Sequence, residues 1–285
     1  MSDICIAGLG IIGSIWARHY AADGHHVRAW NRTPQPQTPY FVEDLAEASS
    51  GADVVHICVA DPPAVQVVLD VITPMLKSGE LVIQSSTISP LAAESFAPQV
   101  TERGASYVEA PFTGSSPKAE SRELVFYAGG DASALDTAEP YLRELGAHLL
   151  RLEGVAQAAA LKLSMNLQIA AITQALTEGY HLALAYGLDH DAFFAGLRLN
   201  GAHTAIAERK EPKLRDNDYT PQFSVKHMAK DLGLALASAQ AADNLNLLLT
   251  ERTRELYAAA IAAGLGDLDF AVLEKLVTAP APPDE

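Results

Sequence analysis

The run from Ala158 to Asn166 places one ammonium and one amide in a strongly helical stretch of Ala, Leu and Met. Lys162 and Asn166 are four residues apart, so a helix brings them to the same face. A lysine on a helix is usually solvated, but almost every neighbour here is apolar. An ammonium in such surroundings either extends to water or serves chemistry, because burial disfavours its charged form. Lys162 is therefore either a solvated lysine or a candidate functional residue, and the helix alone leaves both open.

A glycine-rich turn stands at the other end of the chain, after the apolar strand Ile4–Ala7 and before a helix that runs to Ala22. A second strand, Val27–Trp30, completes a β–turn–α–β unit, the context in which a GxGxxG pattern binds a dinucleotide. In that pattern glycines allow the tight turn, the approach of a pyrophosphate and close helix packing, while the helix N-terminus attracts the negative charge. A glycine turn without a ligand is the alternative. The predicted cofactor contacts are Gly8, Leu9, Gly10, Ile11, Ile12 and Gly13.

The end of the second strand indicates which dinucleotide is bound. Units that bind NAD usually place Asp or Glu here, where it holds the ribose hydroxyls. This chain has Asn31, Arg32 and Thr33, and a guanidinium beside a hydroxyl suits a 2′-phosphate. The residues favour NADP(H) over NAD(H), with a surface arginine in a turn as the alternative.

Further predicted strands end in polar or proline-containing loops, where open α/β sheets bind their ligands. The strand 53–59 leads to Val59 and Ala60, and the strand Leu81–Gln84 leads to Ser85-Ser86-Thr87. After Tyr107–Ala110 comes a loop that contains Thr113, Gly114 and Ser115. Strands are also expected at 124–127 and 148–150.

Composition limits the classes of partner. The formal charge is −15 from 20 basic and 35 acidic residues, without a basic cluster, which argues against nucleic acid and anionic membranes. The polar residues of the long helix argue against a membrane span.

Cys5 and Cys58 fall in predicted buried strands and are expected to be reduced thiols. The histidines show no metal-ligand spacing, so no metal is expected. No signal peptide is evident, and a cytoplasmic location is expected.

From Val155 onward the pattern predicts helices only. The long helix continues to about Gly187, and further helices are expected over 188–199, from Val225, over 244–263 and over 270–277. A polar, partly helical connection is expected over 201–214, and a disordered tail from Thr278. The predicted fold is α/β, with a Rossmann-type NADP-binding domain (1–153) and an all-α domain (154–285) joined by the long helix. Ala and Leu faces of the second domain suit a homodimer or larger homo-oligomer.

Taken in order, these motifs resemble the β-hydroxyacid dehydrogenases, the family of 3-hydroxyisobutyrate dehydrogenase and glyoxylate/succinic semialdehyde reductases. The resemblance spans nearly the whole chain. The motifs that carry it are the glycine turn with Asn31-Arg32-Thr33, Ser86-Thr87 closed by Pro90, Ala110-Pro111-x-x-Gly114, Lys162 with Asn166, and Lys230-Asp231-Leu232.

The resemblance implies a role for each motif. Lys162 becomes the catalytic acid/base and Asn166 a substrate-binding residue. Thr113, Gly114 and Ser115 would bind a substrate carboxylate, Thr87 would border the nicotinamide, and Lys230 would approach the cofactor. Without the resemblance, Lys230 also fits an exposed basic edge. The chain departs from the family at Ala158, often glycine, and in the substrate loop, commonly Ser-Gly-Gly.

The predicted reaction is hydride transfer between NADP(H) and a small anionic aldehyde, keto acid or hydroxy acid. A lysine with an ordinary pKa of about 10.4 is protonated at neutral pH and can donate to the developing alkoxide. One alternative is an imine reductase, although those enzymes typically replace the lysine. Another, of a different class, is a non-catalytic NADPH-sensing module.

Overall fold

The computed structural model describes residues 1–278 and divides into two compact units, Met1–Leu163 and Ser164–Glu285. The division falls inside the long helix, whereas the sequence places the domain boundary after residue 153. The tail from 279 onward, where disorder is expected, lies outside the described residues.

The first unit is built on an eight-stranded sheet in the order β2-β1-β3-β4-β5-β7-β6, with β8 paired to β7. Strands β1 to β5 run parallel, β7 is antiparallel to β5 and β6, and β8 is parallel to β7. The strands are β1 Asp3–Ala7, β2 His26–Trp30, β3 Val54–Ile57, β4 Leu81–Gln84, β5 Ser106–Glu109, β6 Phe112–Thr113, β7 Leu124–Gly129 and β8 Gly146–Leu152.

Alternation along the strands divides the apolar side chains between two cores, because successive residues of a strand point to opposite faces. In β1, Ile4 and Ile6 join one core, while Cys5 and Ala7 join the other. Helices cover both faces, which is the usual state of a parallel sheet. The helices of this unit are α1 Ile11–Ala22, α2 Leu45–Ser49, α3 Pro62–Ile72, α4 Pro90–Thr101, α5 Ser116–Glu120 and α6 Ala132–Arg143.

Two details differ from the sequence-based expectation. Strand β3 ends at Ile57, so Cys58 is partly exposed in the following loop rather than buried in a strand. The segment after it begins helix α3, because the Asp61 side chain accepts a hydrogen bond from the Ala64 amide and Pro62 supplies the backbone angle of a first helical residue.

Helix α7, Val155–Ala185, begins in the first unit, where Val155 and Ala159 pack against one of the two cores. Among the described residues it is the one helix long and apolar enough to cross a membrane by length and composition. The expectation that its polar residues break it too often for a span is therefore wrong on composition. The core helix of a globular domain passes the same test.

The second unit, as far as residue 278, is helical. The segment 201–214, expected as a polar and partly helical connection, contains most of a helix that Thr204 caps, with Pro212 inside it. The segment 270–277 is a 3₁₀ turn, Phe270–Leu273, followed by a short α-helix. The helices after α7 are α8 His190–Arg198, α9 Ala205–Asp216, α10 Val225–Ala241, α11 Leu248–Ala262 and α12 Glu274–Thr278.

Candidate active site

The glycine turn joins β1 to α1 at the carboxyl edge of the parallel strands. Gly8 has a φ of +118°, and a Cβ there would lie 2.1 Å from the carbonyl oxygen of Cys58. A Cβ at Gly13 would lie 1.9 Å from the carbonyl oxygen of Gly8. Both positions require glycine because backbone approaches them from inside the protein. These two glycines therefore fix the shape of the turn.

Gly10 differs, since a Cβ there would meet nothing within 4 Å. It is the N-cap residue of α1, and no side chain caps this helix end. The protein's own packing therefore does not explain the glycine, and the space beside it lies at a helix N-terminus where backbone amides attract anions. The turn thus fits the pyrophosphate of a dinucleotide.

Asn31 holds the turn rather than projecting away from it. Its Oδ1 accepts a hydrogen bond from the Leu9 amide at 3.0 Å, and its Nδ2 donates to the Thr33 carbonyl at 2.8 Å. Gln35 and Ser14 donate to the carbonyl oxygen of Leu9. The peptide units on both sides of Leu9 are therefore fixed by side chains, and Gln35 is a contributor that the sequence did not suggest.

Arg32 and Thr33 are exposed just beyond the end of β2. Within residues 1–278, none of the hydrogen bonds or ion pairs found involves the Arg32 guanidinium. In a chain with 35 acidic residues, a cation at this strand end is accessible to an external anion.

The loops after β3, β4 and β5 lie along the same sheet edge. Val59 is partly buried and Ala60 exposed after β3, and Thr87 is partly buried after β4. After β5 the chain forms β6, in which Phe112 and Thr113 pair with β7. Gly114 follows with a φ of +129°, a conformation that favours glycine. Thr113, Gly114 and Ser115 are all partly exposed, as a ligand-binding loop requires.

Lys162 lies on α7 and is 9% exposed. Its Nζ is 5.9 Å from the centre of the Phe112 ring, within the range of a cation–π contact. Phe112 packs against Trp16 in turn, with ring centres 5.1 Å apart. The buried Lys162 side chain therefore faces the residue that directly precedes the Thr113–Ser115 segment.

In the second unit, Asn166 is 4% exposed and donates a hydrogen bond from Nδ2 to Asp231 Oδ2 at 2.6 Å. The Nζ of Lys230 lies 2.9 Å from the other carboxylate oxygen of Asp231. Sequence reasoning assigned functions to Asn166 and Lys230 but not to the carboxylate that connects them. Asp231 belongs to the Lys230-Asp231-Leu232 motif, and this motif is the sequence feature from which its role could have been predicted.

Two buried titratable groups lie at the strand ends. His56 in β3 stacks on Trp16, and its Nε2 is 2.8 Å from Ser85 Oγ; burial lowers the pKa of His56 to about 3. Glu109 ends β5, and desolvation raises the pKa of its carboxyl to about 8 despite hydrogen bonds from Tyr107 and Gln84. At neutral pH both side chains are therefore mainly uncharged.

Comparisons with known proteins agree with this geometry. Residues 3–155 match the family model of the NAD binding domain of 6-phosphogluconate dehydrogenase. Residues 156–277 match that of the NAD-binding of NADP-dependent 3-hydroxyisobutyrate dehydrogenase. Groups of three or more potential metal ligands do not occur within residues 1–278.

Individual relatives span almost the full chain. Glyoxylate/succinic semialdehyde reductase 1 of Arabidopsis thaliana is 29% identical and covers 95% of this chain and 97% of its own. The Mycobacterium tuberculosis 3-hydroxyisobutyrate dehydrogenase solved with L-serine is 26% identical, covers 98% and 100%, and superposes with a TM-score of 0.88. An imine reductase from Pseudomonas sp. is more distant, at 24% identity, 96% and 98% coverage and a TM-score of 0.63, which shows the fold alone.

The sheet, the open glycine turn and the two family models define a nicotinamide-dependent oxidoreductase. Within that class, the chain belongs to the β-hydroxyacid dehydrogenase family. The fold class, the family and the enzymatic nature predicted from the sequence are thereby confirmed. The roles of the individual site residues stay predictions.

Proposed function

We propose that the enzyme uses NADP(H) to reduce small carboxylate-bearing aldehydes and, in reverse, to oxidise the corresponding β-hydroxy acids. The observation that carries the proposal is Lys162, a lysine 9% exposed on an apolar helix and facing the Phe112 ring. Burial disfavours the charged form of a lysine, and proton-transfer groups of active sites commonly occupy such surroundings. The names of the Arabidopsis and Mycobacterium relatives support the substrate class.

The cofactor would be held by the backbone of the glycine turn at the N-terminus of α1. Arg32 would pair with the 2′-phosphate, since its exposed guanidinium lies at the end of β2 beside the Thr33 hydroxyl. Val59, Ala60 and Thr87 would line the same sheet edge, and Lys230 is expected to approach the cofactor. A bound nicotinamide supplies the hydride in reduction or receives it in oxidation.

The chain's own residues would hold the substrate and transfer the proton. Hydroxyls and backbone amides of Thr113, Gly114 and Ser115 would bind the carboxylate. Lys162 would donate a proton to the carbonyl oxygen as negative charge develops there, and as the neutral amine it would take the proton back in oxidation. Asn166, one helical turn further along α7, would add a hydrogen bond to the ligand.

The decisive experiment measures NADPH consumption with glyoxylate, succinic semialdehyde and a cyclic imine, for the wild-type protein, Lys162→Ala and Lys226→Ala. Lys226 is a suitable control because it is exposed and paired with Asp267 on the surface. We expect Lys162→Ala to lose aldehyde turnover by at least about 10²-fold and to bind NADPH almost as the wild type does. Lys226→Ala should keep wild-type turnover.

Other results of this experiment, or of its repetition with NADH, would contradict separate parts of the proposed function. Near wild-type aldehyde turnover in Lys162→Ala would remove Lys162 from the mechanism. Imine turnover that survives this substitution would favour an imine reductase. Equal use of NADH and NADPH would contradict the proposed 2′-phosphate site. The homo-oligomeric state and the cytoplasmic location stay predictions.

A further inference from the structure

A buried side chain at the end of β4 holds the loop that follows it. Gln84 is fully buried, and its Oε1 accepts a hydrogen bond from the Ser86 amide at 2.5 Å. Its Nε2 donates to the Ser86 carbonyl oxygen at 3.0 Å. One amide side chain thus bonds to both backbone polar groups of Ser86, which directly precedes Thr87.

The same side chain reaches the neighbouring strand β5. Gln84 and Glu109 are register partners, and Gln84 Nε2 also donates to Glu109 Oε1 at 2.8 Å. Glu109 is fully buried and directly precedes Ala110-Pro111, from which the Thr113–Ser115 loop continues. The Tyr107 hydroxyl bonds to the second carboxyl oxygen of Glu109. The root of the substrate loop is therefore fixed to the root of the loop that carries Thr87.

The connection continues to the loop after β3. Ser86 is 2% exposed, and its Oγ accepts a hydrogen bond from the Val59 amide at 2.8 Å. The chain Glu109–Gln84–Ser86–Val59, here named the strand-end bracket, thus joins three consecutive loops at the carboxyl edge of the sheet. A buried polar group that loses its hydrogen-bond partner is unfavourable, so a shift of one loop against another is opposed at each of these bonds.

We propose that Gln84 is a positioning residue that, together with Glu109, sets the loops after β3, β4 and β5 relative to one another for hydride transfer. This inference rests on the proposed function of those loops. Gln84 contacts neither cofactor nor substrate in this account; it acts through Val59, Thr87 and the Thr113–Ser115 loop. Since hydride transfer is sensitive to small displacements, the bracket should affect turnover more than cofactor affinity.

The first test compares Gln84→Leu with Tyr20→Phe. Tyr20 is fully buried in the same unit and hydrogen-bonds to His56 and to the Tyr141 carbonyl. Its substitution removes buried hydrogen bonds but keeps every bond between the four residues of the bracket, while His56 can still bond to Ser85. We expect Gln84→Leu to lower kcat by about 10²-fold, since misplacement by about 1 Å has such an effect. The Kd for NADPH should change by less than about threefold. Tyr20→Phe should keep the wild-type kcat even if its thermal stability falls as much as that of Gln84→Leu.

A readout that does not depend on turnover is amide hydrogen exchange. Gln84→Leu removes the acceptor of the Ser86 amide and so loosens Ser86, whose Oγ accepts the hydrogen bond from the Val59 amide. The amides of segments 57–61 and 84–89 should therefore exchange faster than in the wild type and in Tyr20→Phe. If the wild-type protein turned over no substrate, the proposed function would fail, while the exchange data would still decide whether the bracket positions the loops.

A second test changes the chemistry of the bracket and keeps its shape. Gln84→Glu places a second carboxyl about 3 Å from Glu109, and two such groups share one proton because both cannot ionise together. Its kcat should therefore fall as pH rises, relative to the wild type. The double variant Gln84→Glu/Glu109→Gln restores one amide and one carboxyl, and should recover most of the lost activity.

Two results would overturn the positioning assignment. One is unchanged kcat and unchanged exchange in Gln84→Leu. The other is an equal loss of kcat in Gln84→Leu and Tyr20→Phe at equal stability, which would reduce the bracket to ordinary core packing. Loss of turnover in Lys162→Ala together with normal turnover in Gln84→Leu would leave the proposed function intact and reject the bracket alone.

Discussion

At the scale of single residues, a cationic side chain of the candidate site lies in a protein whose net charge is strongly negative. Arg32 is an exposed cation at the end of β2 in a chain of net charge −15. An anionic ligand must therefore be attracted by local groups rather than by the overall charge. Under the proposed function, Arg32 is the local group that would bind the 2′-phosphate.

Arg32→Ala should raise the KM for NADPH by about tenfold or more, because a charge-assisted hydrogen bond contributes about 1.5–3 kcal/mol. The KM for NADH should change little, so the preference for NADPH narrows. Steady-state kinetics with both cofactors measure this. Arg28→Ala is the matched control, since the Arg28 guanidinium donates to the carbonyls of Glu47 and Ser50. Equal losses with both cofactors in Arg32→Ala would contradict the assignment.

At the scale of elements, the β1–α1 turn separates two uses of glycine. Gly8 and Gly13 serve internal packing, whereas Gly10 faces open space at the helix N-terminus. The strand, the turn and the helix form from local sequence. Whether a given position of the turn requires glycine depends on whether another part of the backbone lies close to it. The two reasons predict different results for substitution.

Gly10→Ala should leave stability nearly unchanged, because Gly10 has a φ of −70° that alanine adopts and its Cβ would meet no protein atom. It should weaken NADPH binding by about tenfold, equivalent to about 1.4 kcal/mol. Gly13→Ala should instead destabilise the first unit by about 3 kcal/mol, since the Cβ would clash with the Gly8 carbonyl. Thermal unfolding and NADPH titration of both variants measure the difference. Equal NADPH affinity in Gly10→Ala and the wild type would reject the pyrophosphate site at this turn.

At the scale of the whole molecule, two buried groups make stability depend on pH in opposite directions. Glu109 has its pKa raised from 4.5 to about 8, so the folded protein keeps a proton that the unfolded chain loses, and stability falls as pH rises through this interval. His56 has its pKa lowered from 6.5 to about 3, so stability falls as pH drops through that interval. Together they favour maximal stability at weakly acidic pH.

Glu109→Gln should flatten the alkaline side of this profile, because the amide mimics the neutral acid and keeps partners for Tyr107 and Gln84. Between pH 5 and 8 its unfolding midpoint should fall less than that of the wild type, on the order of 3 °C for each kcal/mol of linkage. Thermal unfolding across this range measures it. Glu94→Gln, at an exposed position of α4, is the control and should follow the wild-type profile. A Glu109→Gln slope as steep as the wild-type slope would show that other groups govern the pH dependence.

Local sequence patterns were enough to predict most strands and helices in their order along the chain. Apolar strands, glycine turns and Lys162 with Asn166 are local patterns, and their spacing translates directly into strand ends and helix faces. The fold class followed from these patterns, whereas the family and an oxidoreductase activity followed from the resemblance that the ordered motifs carry. Helix α9 was predicted only as part of a polar connection, because its polar composition hides the amphipathic period. Cys58 was misplaced because strand ends are weakly marked.

Contacts between residues far apart in the chain depend on the folded arrangement of the elements. The link between Asn166 and Asp231 spans 65 positions, and that between Gln84 and Glu109 spans 25, distances over which no local pattern carries information. Burial, which raises the pKa of Glu109 and lowers that of His56, likewise depends on what packs around a side chain. Local propensity thus determines which helix or strand carries each candidate site residue. Long-range packing determines the hydrogen-bond partners of these residues and the protonation of the buried ones.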